Sequence, residues 1–221
     1  MQRSRTNHLL LLGHRGARGL KSIPENSLAS FDRALEDGCD GFEFDVRLTA
    51  DAQAVVGHDP RINRIEIAKA PAEKLKGLAN LRDVLSRYQD RAFLDIELKV
   101  PGLEKIAVDL LIKFPPRRGF VVTSFLPSVL EATHDENETV PLGLICETKT
   151  QFKLWTKLPV VYVIAHGALV NAALLAQLKS AAKKLLVWTV NSPAQMQRFA
   201  RLGVDGIISD KTDLLCRTLR S

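Results

Sequence analysis

His14 and His58 each close a short apolar run: Leu9-Leu10-Leu11-Leu12 leads into Gly13-His14-Arg15-Gly16, and Val55-Val56-Gly57 leads into His58-Asp59. Two imidazoles that titrate near neutrality can divide acid–base work, one removing a proton from a nucleophile and the other delivering one to a leaving alkoxide. Between them Gly41-Phe42-Glu43-Phe44-Asp45-Val46 alternates carboxylates with large apolar residues, and the period-2 geometry of a strand puts Glu43 and Asp45 on one face. A third apolar run carries Glu97 and ends in Lys99. Three carboxylates crowded at strand ends repel one another, so a divalent cation is the natural way to keep them ionised. Hard oxygen ligands favour Mg²⁺ or Ca²⁺ over Zn²⁺. The competing reading has them neutralised by Arg15, Arg47 or Lys99. Arg15 and Lys99 can also hold phosphate oxygens and balance charge developing on phosphorus.

Strand ends must hold these side chains, and the chain supplies them. Apolar β-rich runs alternate with helical patterns, which argues a parallel sheet of βα units. Strands are predicted near 9–13, 41–46, 93–98, 119–124, 141–145, 160–165, 185–190 and 206–209, with Val55-Val56 as a short extra segment. Closed on themselves, these form a (β/α)8 TIM barrel, for which ~250 residues is typical and ~200 near the floor, and whose active sites lie at the C-terminal ends of the strands. The pattern predicts one compact domain over 9–216, with a short insertion at about 60–91. Inside the insertion Leu75, Leu78, Leu81, Val84 and Leu85 predict a single helix after a basic, isoleucine-spaced lead-in. Pro24-Glu25-Asn26-Ser27 is a turn before the helical pattern Leu28, Phe31, Ala34, Leu35, which stops at Gly38.

Composition narrows the class. The 221 residues are 46% apolar and 25% charged, ordinary globular usage. The net charge of +6 suits an anionic substrate and tolerates a membrane surface without requiring one. Basic residues are interspersed with acids and match no nucleic-acid-binding motif, which argues against nucleic acid as a partner. Cys39, Cys146 and Cys216 are widely spaced in sequence with no metal or redox motif, and are expected to stay reduced. Four leucines behind Arg3 and Arg5 are too few for a signal peptide, and no later run could span a bilayer, so a cytoplasmic protein is expected. Nothing here fixes an oligomeric state.

The ordered set His14-Arg15-Gly16, Pro24-Glu25-Asn26, Glu43-x-Asp45 with Thr49 and Asp51, His58-Asp59, Asp95-Ile96-Glu97-Leu98-Lys99, Trp188-Thr189-Val190-Asn191 and Gly203 to Asp210 resembles the glycerophosphodiester phosphodiesterase family. The resemblance spans roughly Leu9 to Leu215. It implies the same barrel, a metal on Glu43, Asp45 and Glu97, and hydrolysis of a small-molecule glycerophosphodiester to glycerol 3-phosphate and an alcohol, with His14 and His58 as the acid–base pair. It also lends Glu25 a supporting role, either orienting a histidine or joining the metal shell. Asn26 divides between that role and an ordinary helix N-cap. Trp188 is expected to wall the head-group pocket, or else to be core. Asn191 and Asp210 match mouth positions of the family, but helix capping is the stronger expectation for both. His8, His134 and His166 read as core or capping histidines, although His166 follows the sixth strand. Trp155 lies outside every motif. Two other functions fit the same residues: a lysophospholipase D acting on lysophospholipids, and a non-catalytic barrel that binds phosphorylated ligands.

Overall fold

In the computed structural model, which describes residues 8–220, the chain runs β1 (Leu10–Gly13), α1 (Leu28–Glu36), β2 (Gly41–Leu48), β3 (Ala54–Val56), β4 (Arg61–Ile62), β5 (Ile65–Glu66), α2 (Leu81–Tyr88), β6 (Phe93–Leu98), α3 (Glu104–Lys113), β7 (Phe120–Ser124), α4 (Pro127–Glu136), β8 (Leu142–Cys146), α5 (Lys149–Phe152), β9 (Tyr162–His166), α6 (Ala172–Ser180), β10 (Lys184–Trp188), α7 (Pro193–Leu202), β11 (Gly206–Ser209) and α8 (Thr212–Leu219). The parallel strands follow the order β1-β11-β10-β9-β8-β7-β6-β2, and β1 also pairs with β2, which closes the ring. Strand β3 is antiparallel to β2 and stands outside it. This is a (β/α)8 TIM barrel. None of the described helices is long and apolar enough to cross a membrane.

Strand parity decides what lies inside. On β2 the side chains Phe42, Phe44 and Val46 belong to the large core between the strands and the helices. Glu43 and Asp45 therefore point into the barrel. On β6 the outward set is Leu94, Ile96 and Leu98, leaving Phe93, Asp95 and Glu97 inward. A second, smaller core of Leu12, Phe93, Val121, Ile145, Tyr162, Ile164, Leu186 and Ile208 fills the barrel itself. Along the inner face of β6 the lining thus turns from apolar at Phe93 to acidic at Glu97, toward the C-terminal mouth.

Helix α1 shows how the outer layer is held. Ser27 caps it, accepting from the Ser30 backbone N–H while the Ser30 hydroxyl accepts from the Ser27 N–H. Phe31 stacks on Phe42 with centroids 4.2 Å apart, and Tyr88 of α2 meets Phe42 edge-on at 5.0 Å. Each fully buried ring of this kind contributes roughly 2–3 kcal/mol by area alone. Gly41 has no room for a side chain, since a Cβ there would lie 1.8 Å from the Phe93 carbonyl oxygen.

The helix expected from Leu75 starts later, at Leu81, with Asn80 as its N-cap. Gly77, at φ 94°, breaks the run, and Leu75 joins Val55, Ile67 and Ala70 in a separate small core beneath the insertion. The basic lead-in is the hairpin β4–β5, turned by Asn63 and Arg64, both at positive φ. Although distant in sequence, Cys39 and Cys216 have sulfurs 3.6 Å apart, and both are free and buried.

Candidate active site

The barrel mouth collects the acidic residues first. One oxygen each from Glu43, Asp45 and Glu97 lies within 4.8 Å of the others, and all three residues are buried. Burial, reinforced by the charges of Asp45, Glu97 and Asp95, raises the Glu43 carboxyl well above its ordinary range. Burial and Asp45 push Glu97 up to about 7. For Asp45 burial is outweighed by Lys99, Arg15 and the Asn26 hydrogen bond, so its pKa lies below the usual carboxylate value. Asp45 Oδ1 accepts no hydrogen bond from a described residue, although Lys99 Nζ stands 3.2 Å away as an ion pair. A buried carboxylate oxygen without a hydrogen bond, inside a cluster whose members raise one another's pKa, fits the donor set of a hard divalent cation.

The cations interleave with the acids. Lys99 Nζ reaches Glu97 Oε1 at 2.7 Å, and Glu97 and Asp45 hold its pKa above the ordinary value against the opposing effect of burial. Arg15 Nη1 donates to Glu25 Oε1 at 2.7 Å, while its Nε lies 3.2 Å from Asp45 Oδ2. Arg15 and Gly16 are both left-handed, at φ 50° and 75°, and a Cβ on Gly16 would lie 2.5 Å from Ser30 Oγ. That turn lets the Arg15 backbone N–H donate to Glu43 Oε2 at 2.9 Å. Arg47 is elsewhere, donating to the His58 carbonyl oxygen at 2.7 Å. The two readings of the acidic trio therefore coexist in part: Lys99 and Arg15 neutralise Asp45, and the cluster remains crowded.

Each histidine is held through Nδ1 by a carboxylate. His14 Nδ1 donates to Asp210 Oδ1 at 2.7 Å, and its Nε2 faces Glu43 Oε2 at 3.8 Å, beyond hydrogen-bonding range. His58 Nδ1 donates to Asp59 Oδ1 at 2.8 Å. Neither Nε2 makes a hydrogen bond to a described residue. Burial lowers the His58 pKa despite Asp59. His14, Arg15, Glu43, His58, Glu97 and Lys99 line one cavity of about 210 Å³, with Asp45 buried beneath it.

The opposite wall is apolar. Trp188, Phe125, Ile145, Ile164 and Ile208 line it, with Glu147 beside them. Trp188 meets Phe125 edge-on at 5.8 Å and anchors its Nε1–H on the Ile164 carbonyl oxygen at 3.2 Å. His166 lies exposed against Trp188, ring centroids 5.8 Å apart and edge-on, and does not line the cavity.

Several placements differ from the sequence reading. Ser27, not Asn26, is the N-cap; Asn26, at φ 55°, donates its amide to Asp45 Oδ2 at 2.8 Å and fixes that carboxylate. Glu25 touches neither histidine and stands apart from the acidic trio, bridging Arg15 and Arg18 instead. Asn191 and Asp210 are not caps, since Ser192 and Lys211 occupy those positions. Asn191 donates to Asp210 Oδ2 at 2.6 Å and accepts from the Asp210 N–H. Burial would raise Asp210, but hydrogen bonds from His14, Asn191 and Arg18 hold it well below the carboxylate range. Asp95 also lines the cavity; Thr123 donates to its Oδ1 at 2.7 Å, Oδ2 has no hydrogen-bond partner among the described residues, and burial pushes it up to about 7.

The model of the glycerophosphoryl diester phosphodiesterase family matches this chain over residues 14–108 and 104–214. The chain belongs to that family. The glycerophosphodiester phosphodiesterase of Caldanaerobacter subterraneus subsp. tengcongensis is 29% identical over 239 residues, covering 96% of this chain and 98% of the relative. Among solved structures, the Oleispira antarctica phosphodiesterase in complex with the product sn-glycerol-3-phosphate superposes with a TM-score of 0.84 at 24% identity, over 96% of this chain and 97% of that one. The glycerophosphodiester phosphodiesterase of Thermotoga maritima gives a TM-score of 0.78 at 24% identity, over 95% and 98%.

Two residues of the site were placed differently by the sequence reading, which quoted Asp95 in a motif without giving it a role and matched Asp210 to a mouth position while expecting a helix cap; their signals differed. Asp95 shares the parity of Glu97 on one strand, so the alternation that picked out Glu43 and Asp45 also marks it. Asp210 had no such local mark. Its partner is 196 positions away, across the β1–β11 seam.

Proposed function

We propose that the chain hydrolyses glycerophosphodiesters to glycerol 3-phosphate and an alcohol, using a divalent cation on Glu43, Asp45 and Glu97 and the histidine pair as acid and base. The observation that carries this reading is the meeting, in one cavity, of two carboxylate-anchored histidines with three clustered carboxylates. Membership of the family supports the substrate class, and the product named for the Oleispira antarctica relative is the one expected here.

Arg15 and Lys99 bind the phosphate oxygens from the charged wall, and the apolar wall at Trp188 receives the carbon skeleton of the substrate. One histidine takes the proton of the attacking hydroxyl at Nε2, and the other gives its Nε2 proton to the departing alkoxide. Asp210 and Asp59 hold the Nδ1 protons throughout, fixing the rings and stabilising whichever imidazolium forms. Asn26 holds Asp45 in place, and Glu25 does the same for the Arg15 guanidinium. When bound, a divalent cation supplies charge to a phosphoryl oxygen as a Lewis acid. Mg²⁺ and Ca²⁺ are the candidates from the all-oxygen donor set.

The test is a panel of glycerophosphodiesters given to chelator-stripped protein, refilled separately with Mg²⁺, Ca²⁺ and Mn²⁺. Release of glycerol 3-phosphate only after refilling is expected. Lysophosphatidylcholine in the same panel separates diesterase from lysophospholipase D. Turnover at the wild-type rate under excess chelator, or none with any metal and any diester, overturns the proposal.

A further inference from the structure

A second concavity of about 760 Å³ lies between α6 and the segment formed by α5 and the 3₁₀ turn Lys153–Lys157. Its floor is apolar, with Phe152, Trp155 and Leu174 largely buried. Lys149, Lys153 and Lys157 stand exposed along it, no acidic residue lines it, and none of the three lysines forms an ion pair with a described residue. Trp155 is only 8% exposed, yet its Nε1–H is buried without a hydrogen-bond partner among the described residues. A buried indole N–H ordinarily finds an acceptor, and leaving one unpaired is costly. The groove also adjoins the barrel mouth: Glu147 lines the active-site cavity and Lys149, two residues on, lines the groove.

An apolar trough edged by three exposed ammonium groups without ion pairs describes one ligand chemistry. We propose that this groove docks the protein on a membrane through an anionic phospholipid, the acyl chain lying against Phe152, Trp155 and Leu174 and the phosphate against the lysines. A second copy of this chain fits less well, because the +6 net charge opposes bringing two lysine rows together. Docking here sets the catalytic mouth beside the lipid surface, and it does not rest on the reaction proposed for that mouth.

The chain has two tryptophans, so Trp188→Phe leaves Trp155 as the sole indole reporter. This variant is mixed with phosphatidylcholine vesicles, with and without phosphatidylglycerol, whose acyl chains carry bromine. Quenching of Trp155 fluorescence is expected only when phosphatidylglycerol is present. In parallel, wild-type protein and Lys149→Gln/Lys153→Gln/Lys157→Gln are co-sedimented with the same vesicles at low salt. A lysine near an anionic surface is worth about fivefold in partitioning, so the triple variant is expected to bind on the order of a hundredfold more weakly. Hydrolysis of a soluble glycerophosphodiester by the triple variant stays at the wild-type rate, which keeps docking and chemistry distinguishable. Absence of quenching in folded protein, equal binding to neutral vesicles, or unchanged sedimentation of the triple variant overturns the proposal. So does concentration-dependent dimerisation that the lysine substitutions alter while vesicle binding is absent.

Discussion

Asp210→Asn should disable His14 without touching the substrate. In the wild type Oδ1 accepts from His14 Nδ1 at 2.7 Å and Arg18 Nη1 at 3.2 Å, and Oδ2 accepts from Asn191 Nδ2 at 2.6 Å. An asparagine must turn its NH₂ toward one of these two sets of donors. Facing His14, it forces the ring into the other tautomer and puts the proton on Nε2. Facing Asn191, it meets a donor, and a compensating flip of Asn191 would give up the acceptor that now serves Ser209 Oγ and the residue-210 N–H. Either way one hydrogen bond to a charged group is lost, worth ~1.5–3 kcal/mol. At 1.36 kcal/mol per factor of ten, that predicts a fall in kcat of about 10- to 150-fold.

The assay is steady-state release of glycerol 3-phosphate across pH, for Asp210→Asn, His14→Ala and the double variant. KM should stay near the wild-type value, one limb of the pH profile should move, and the double variant should be no slower than His14→Ala alone. A variant keeping more than half the wild-type kcat, or one that lowers the residual His14→Ala rate by its full factor, refutes the idea that Asp210 acts through His14. The same substitution reports on acid stability. The folded-state pKa of Asp210 is depressed, so its stabilisation is present above the ordinary 3.8 and is lost as pH falls below it. Asp210→Asn should lack that loss, and chemical denaturation at pH 7 and pH 3 would show it.

Glu43→Gln, Asp45→Asn and Glu97→Gln should each abolish Mg²⁺ or Ca²⁺ binding in calorimetry with circular dichroism unchanged; full activity in any two of them removes the cation from these residues. His58→Ala should slow turnover by roughly 10²–10⁴-fold, the usual worth of a positioned proton-transfer group, whereas a loss below about threefold would take His58 out of the mechanism. Burial lowers the folded-state pKa of His58, so the unfolded chain binds more protons just below 6.5 and stability should fall as pH drops through that point. His58→Gln should flatten that slope in urea denaturation, and an unchanged slope refutes it. A substrate whose glycerol is replaced by 1,3-propanediol keeps the diester but lacks the neighbouring hydroxyl; lost turnover with retained competitive binding shows internal attack on phosphorus, and normal turnover shows attack by water.

What could be read from the sequence was whatever a single strand or helix decides by itself. Alternation placed Glu43 and Asp45 on one face because that face is fixed by the pleat, whatever stands opposite. The same rule applied to Phe93, Asp95 and Glu97 reaches Asp95. The helix expected from Leu75 failed locally too, because the spacing of Leu75 and Leu78 carries no weight against Gly77 in a left-handed turn and Asn80 as a cap. Asp210 belongs to another class. Read alone, an aspartate just before a helical pattern is a cap, and only the pairing of β1 with β11 brings it to His14. Trp155 is the third case, since an isolated tryptophan in a short lysine-bearing segment is an ordinary anchor for that segment. It became informative when folding buried the ring and aligned three lysines along the same groove. Ring closure and side-by-side helices create juxtapositions that no window of sequence contains, and both the positioning of His14 and the lipid groove depend on juxtapositions of that kind.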